Sequence, residues 1–151
     1  MSFGGVNLKI PYSYRKIEVS EKPIFIIGLS PGRQRLKERN YEVFHGNQSG
    51  DLIEEIIKDK VNILLTNIFN YYVDEITSDL INEGLLNVLK LIKIHKPYKV
   101  ICLGNFSFQH VSKLIKDEDL DIELTKLQHP SFIIRFKKDR KQYINMFKEQ
   151  L

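Results

Sequence analysis

Three short apolar runs, each stopped by a glycine or an asparagine, restrict this chain more than any other feature. Ile24-Phe25-Ile26-Ile27 ends on Gly28, Asn62-Ile63-Leu64-Leu65-Thr66 ends on Asn67, and Lys99-Val100-Ile101-Cys102-Leu103 ends on Gly104. Runs of this length and composition read as strands buried on both faces. Between them the period changes. Leu52, Ile53, Ile56 and Ile57 fall at helical spacing between Asp51 and Lys58. Leu80, Ile81, Leu85, Val88, Leu89 and Ile92 mark a long amphipathic helix between Ser78 and His95, capped by Ser78 or Thr77 and ended before Pro97. Asn105 to Ile115 reads as a helix, Ile122 to Leu127 alternates as a fourth strand, and a closing helix is expected from Asp139 to Leu151. Strands alternating with helices predict an α/β fold, a three-layer α/β/α sandwich around a central, largely parallel four-stranded sheet.

The chain of 151 residues, 42% of them hydrophobic, suits one domain with a real core, so residues 1–151 are expected to form a single domain. No repeat, low-complexity tract or linker divides it. No run approaches the length of a membrane span, and Met1 to Tyr14 lacks the apolar core of a secretory signal. The single cysteine, Cys102, excludes an intramolecular disulfide and a four-cysteine metal site, and its apolar surroundings predict a small buried hydrophobe. An intracellular, cytoplasmic monomer with no membrane partner is the expectation.

Net charge is +4, a mild tilt whose distribution says more than its size. Arg33, Arg35, Lys37 and Arg39 crowd one segment with only Glu38 opposing them; Arg135, Lys137, Lys138, Arg140 and Lys141 crowd another, opposed only by Asp139. Such clusters suit a polyanion such as a phosphate backbone, and equally suit a solvated helix face. Their positions favour the first use. In a parallel α/β sheet, ligands sit beyond the carboxyl ends of the strands. Gly28 to Gly32 follows the first strand, Asn67 the second and His129 the fourth, so all three converge on one cleft if the strands are parallel.

Gly28-Leu29-Ser30-Pro31-Gly32 matches the nucleophile elbow G-x-S-x-G, and Asp121 and His129 follow in the order of a hydrolytic triad. Pro31 argues against that use of Ser30. The backbone N–H after the serine helps form the oxyanion hole, and proline has none. Removing one such donor costs about 2.7–4 kcal/mol of transition-state stabilisation. A serine hydrolase is therefore the weakest alternative.

A second pattern accounts for more of the chain. After the glycine loop come Phe44-His45-Gly46-Asn47-Gln48-Ser49-Gly50-Asp51-Leu52, then Thr66-Asn67, then Leu103-Gly104-Asn105-Phe106, and last His129-Pro130-Ser131-Phe132-Ile133-Ile134-Arg135. Each motif is weak alone, but in this order, and at these elements, the set resembles the uracil-DNA glycosylase superfamily from Ile24 to Leu151. The likeness is nearest to its short, thermophile-type branch. The resemblance implies a glycosylase that flips a base out of DNA, single- or double-stranded, and hydrolyses its N-glycosidic bond. Many thermophile-type members carry an iron–sulfur cluster; one cysteine cannot ligate it, so no metal and no other cofactor is expected.

The resemblance also implies roles. Gly28, Leu29, Phe44 and Asn67 would bind the base, Phe44 by stacking and Asn67 by offering a donor and an acceptor to a pyrimidine edge. His129 would stabilise negative charge on the departing base, and Ser30 would hold the attacking water. Pro31, Gly32, Arg33, Ser131 and Arg135 would hold the DNA strand, with Phe132 or Ile133 wedged into the gap left by the base. Ser30 departs from the acidic residue or asparagine found there in several branches. That departure keeps open a catalytically weak or inactive relative that binds DNA or a protein.

Overall fold

The computed structural model describes residues 14–19, 21–30, 43–44, 48–70 and 73–151. Its elements run β1 (Arg15–Ile17), β2 (Ile24–Gly28), α1 (Gln48–Ile57), β3 (Ile63–Asn67), α2 (Ser78–His95), β4 (Lys99–Leu103), α3 (Asn105–Asp117), β5 (Glu123–Leu127), α4 (Pro130–Arg135) and α5 (Arg140–Glu149). The sheet has the order β1-β3-β2-β4-β5. β2, β3, β4 and β5 are parallel to one another, and β1 pairs antiparallel with β3.

The sheet therefore has five strands where the sequence predicts four. Arg15-Lys16-Ile17 carries no apolar run, because this edge strand is held by partners and not by its own pattern. It pairs with Ile63 to Leu65, accepts the Asn62 N–H on the Ile17 carbonyl at 2.8 Å, and ties to α1 through an Arg15–Glu54 ion pair. A charged, three-residue edge also discourages pairing with another chain. The second departure is α4, which the sequence reads as a loop. Six residues are too few to show a helical period, although Pro130 at the first helical position is a recognised start signal.

Period-two alternation divides the buried strands between two cores. Ile24, Ile26, Ile63, Leu65, Ile101 and Leu103 face α1, α4 and α5, meeting Leu52, Ile53, Ile56, Ile133, Tyr143 and Phe147. Phe25, Ile27, Leu64, Val100 and Cys102 face α2 and α3, meeting Val88, Leu91, Ile92, Val111 and Ile115. Helices thus cover both sides of the sheet, and the strands between them can be apolar throughout. Helix ends follow local chemistry. Thr77 caps α2 by accepting the Leu80 N–H at 3.3 Å, and Lys96 closes it in the left-handed region just before Pro97. Asp139 caps α5 through the Gln142 N–H. Among the described residues no helix is long and apolar enough to cross a membrane.

Gly84 shows how tightly α2 sits on the sheet. A Cβ there would stand 2.3 Å from the Ile68 carbonyl oxygen and 2.8 Å from Ile68 Cγ2. Helix propensity alone makes Gly84→Ala stabilising by about 1 kcal/mol. Overlap with backbone reverses the sign, since overpacking costs about 1–3 kcal/mol and a carbonyl cannot rotate away. Urea denaturation of Gly84→Ala should show a net loss of stability; a gain would mean that α2 is free to lift from β3.

Candidate active site

The connections from β2 and β4 lead to opposite sides of the sheet, toward β3 and β5. Outside the carboxyl ends of two such strands the diverging connections leave a crevice, the usual ligand position in this architecture. Gly28 and Asn67 end β2 and β3, Gly104 follows β4, and His129 stands two residues past β5. The crevice wall continues beyond the strands, because the Ile68 and Phe69 N–H groups donate to the Gly28 and Leu29 carbonyls at 3.0 and 2.8 Å.

Five residues meet here. A Cβ on Gly28 would lie 2.5 Å from both Asn67 Oδ1 and Phe44 Cζ, so the missing side chain is what lets these two groups close on β2. Phe44 is 7% exposed and holds a φ of 53°, an unusual conformation for a bulky residue. Such strain persists only where the surroundings enforce it. Its ring centroid is 6.0 Å from that of His129, with the planes 45° apart. Gly104, at φ 92°, passes close beneath His129, where an added Cβ would be 3.7 Å from the histidine Cβ. Asn67 is 6% exposed, and its Oδ1 has no hydrogen-bond partner among the described residues. A buried acceptor left unpaired costs about 1–3 kcal/mol, which a ligand N–H would recover.

His129 is the N-cap of α4. Its Nδ1 accepts the Ser131 N–H at 3.1 Å and lies 2.8 Å from Ser131 Oγ. A nitrogen that accepts a backbone N–H cannot carry a proton, so the proton of the neutral ring sits on Nε2. Burial pushes the imidazole pKa down from 6.5 to about 4. Near neutral pH His129 is thus an uncharged ring with one fixed donor, Nε2–H. Tyr143 of α5 holds the same turn from behind: its hydroxyl donates to the Gln128 carbonyl at 2.5 Å, and burial raises its pKa so that it stays protonated.

The remaining expected site residues are distributed as follows. Leu29 is half-buried and packs with the α2–α3 core, and Ser30 is half-buried at the end of its described segment. Pro31, Gly32 and Arg33, with the rest of the first basic cluster, lie outside the described residues. Ser131 is exposed, but its N–H is committed to His129. Of the two wedge candidates, Ile133 is buried in the α1–α5 core and Phe132 is exposed. Arg135 is exposed at the end of α4. Asn70, the other nearby asparagine, faces α2 beside Leu80 and Gly84 and is not part of the crevice. From sequence, Gly104 is a strand stop and a motif member with no site role, and Tyr143 is not singled out. Gly104 carried a signal as a strand-ending glycine, whereas Tyr143 had none, its partner being a backbone carbonyl 15 positions away.

A hydrolytic triad has no geometry here. Asp121 precedes β5 and His129 follows it, at opposite ends of a strand roughly 13 Å long. His129 Nδ1 meets a backbone N–H where a triad requires a carboxylate. Nor do the residues fit an iron–sulfur cluster. Cys102 is sealed in the sheet core with its thiol pKa pushed up to about 12, and no group of metal-ligating side chains occurs among the described residues.

Two outcomes follow from this geometry. Gly28→Ala must displace Phe44 or Asn67, because 2.5 Å is inside contact distance for both. The variant should lose about 1–3 kcal/mol in urea denaturation and show a shifted Phe44 ring in a crystal structure; an unmoved pair would refute the close packing. For His129, the folded pKa of about 4 lies below the ordinary 6.5, so the unfolded chain binds more protons between these values. The contribution of His129 to stability is then complete above about pH 6.5 and declines as pH falls toward 4. An NMR titration should find the Nε2–H tautomer with its midpoint near 4; a midpoint near 6.5 would contradict the buried neutral ring.

None of the curated proteins compared with the chain matches it. A family model described as the uracil DNA glycosylase superfamily matches residues 16–151. The match takes in β2, β3, β4 and β5, every described helix and all the crevice residues. With nearly its whole length covered, this protein belongs to the uracil DNA glycosylase superfamily.

Proposed function

We propose that residues 1–151 act as one monofunctional DNA glycosylase domain, an intracellular monomer that removes uracil or a related altered base in base-excision repair. The carrying observation is the His129 ring, its Nδ1 occupied by the Ser131 N–H, standing beside Phe44. In the flipped state the base stacks on Phe44. The Asn67 carboxamide reads its edge, Oδ1 accepting from a ring N–H and the amide nitrogen donating to a carbonyl oxygen. Cytosine offers the reverse pattern and is rejected.

As the bond between the sugar C1′ and the base nitrogen lengthens, its electron pair moves onto the base and negative charge grows on the neighbouring carbonyl oxygen. The Nε2–H of His129 donates to that oxygen, acting where the charge develops. A ring with so low a pKa stabilises the anion without first having to be protonated. The sugar becomes oxocarbenium-like, so the attacking water needs orientation more than activation, and Ser30 or a loop carbonyl supplies it. Water adds at C1′ and its proton passes to solvent. Phe132, the exposed member of the wedge pair, fills the gap in the stack, while Arg135 and the basic residues around the crevice hold phosphates. We place the chain nearest the short, thermophile-type branch on its motifs, and without that branch's cluster, since one cysteine cannot ligate it.

Ser30 favours a second reading, a catalytically weak or inactive module that binds DNA or a protein, because no carboxylate stands next to it in the loop. One assay separates the two. Oligonucleotides bearing uracil, hypoxanthine, xanthine or hydroxymethyluracil, in single and double strands, are incubated with the protein and heated in alkali to cleave abasic sites. Base release that falls about 100-fold or more in His129→Ala, with DNA affinity within about threefold of wild type, supports the glycosylase. No release from any substrate leaves the binding module.

A further inference from the structure

Past His129, α4 carries an aromatic surface that extends beyond Phe132, the one ring of this surface that the proposed function uses. Phe132 is 36% exposed and Phe136, one turn further on, is 54% exposed. Their ring centroids are 4.7 Å apart with the planes tilted by 47°, so the two rings make one continuous apolar face in water. Two cations stand against it. Lys138 Nζ is 5.9 Å from the Phe132 ring centroid, and Arg135 Cζ is 6.0 Å from that of Phe136. Lys137, Arg140 and Lys141 are exposed beside them, and the only anion of the run, Asp139, is engaged in capping α5. The face is rigidly mounted. Ile133 anchors α4 in the core, and the helix closes with Lys137 and Lys138 donating to the Ile134 and Ile133 carbonyls at 3.3 and 3.0 Å. Lys137 holds the left-handed conformation that this closure requires.

We propose that Phe132 and Phe136 form a two-ring platform that stacks unpaired bases of a single DNA strand beside the flipped nucleotide, with Arg135 and Lys138 on its phosphates. The inference rests on the DNA reading above and extends it to a strand preference. Alternating rings and cations match a polymer that alternates flat bases with anions. Bases in an intact duplex have both faces covered by neighbours, so only an unpaired strand offers faces to both rings. A second copy of this chain is a poor occupant, since two such faces would bring five cations against five. A membrane is equally poor, because the other two apolar residues of this stretch, Ile133 and Ile134, pack on the core.

The test is fluorescence anisotropy of the full chain with a short thymine strand, the same strand made of abasic units, and a duplex. Phe136→Ala should weaken binding to the thymine strand about tenfold, Phe136→Tyr should stay within about twofold, and Phe136→Leu should lose most of the affinity. Against the abasic strand, of equal charge, the variants should bind alike, and the salt dependence should not change. Unchanged melting temperature confirms that the half-exposed ring is not needed for folding. The proposal is overturned if Phe136→Ala binds the thymine strand as wild type does, if the loss is equal on abasic DNA, or if leucine restores affinity as well as tyrosine. It is also overturned if Phe136→Ala abolishes binding to phosphatidylserine vesicles while leaving oligonucleotide affinity intact. Base-dependent binding without base release would sustain the platform and refute the glycosylase; base release with no effect of Phe136→Ala would do the reverse.

Discussion

Two-sided burial of β2, β3 and β4 dictates where this protein can touch anything else. Their side chains are divided between two helical layers, and their backbone groups are engaged in a parallel ladder. No face of these three strands is left for a ligand. Chemistry is confined to the points where strands stop, and parallel strands stop on the same side. Gly28, Asn67, Gly104 and His129 come together for that reason, from four separate stretches of chain. The strand order then fixes where along that edge the crevice opens.

At the crevice, several weak local rules act on one imidazole. Pro130 suits the first turn of α4, whose second amide is thereby aimed back at His129 Nδ1. Desolvation keeps the ring neutral, and Tyr143 fixes the carbonyl just upstream. The outcome is a donor whose tautomer and charge are set before any ligand arrives. Preorganisation of this kind counts most where charge changes during a reaction, since nothing need reorient when the anion forms.

The four parallel strands were legible because each needs an apolar or alternating run that the sequence displays openly. β1 was not, since a three-residue charged edge exists only through its partners. α4 was too short for periodicity, and its proline was the single clue. Within the site, residue types were legible but directions were not. Asn67 and Asn70 look alike in sequence; one closes on Gly28 and the other on α2. Phe132 and Ile133 are adjacent, yet a helix turns by about 100° between them, enough to send one to solvent and one to the core. The contact of Tyr143 with Gln128 depends on how α5 packs, which no local pattern records.

His129 is at once the cap of α4 and the proposed donor, and the two duties have unequal histories. Losing an N-cap costs about 0.5–2 kcal/mol, a large share of the margin of a small domain. Mutational drift at this position is therefore penalised by folding even in a lineage that has ceased to excise bases. Phe44 is held in the same double way, since its ring belongs to the core as well as to the crevice, whereas among the described residues no fold-stabilising contact of this kind ties down the Ser30 side chain. Decay of the chemistry would reach Ser30 first. A histidine in this turn is thus a record of how α4 is built as much as of what the crevice does, and living and extinct enzymes of this shape are better told apart at residue 30.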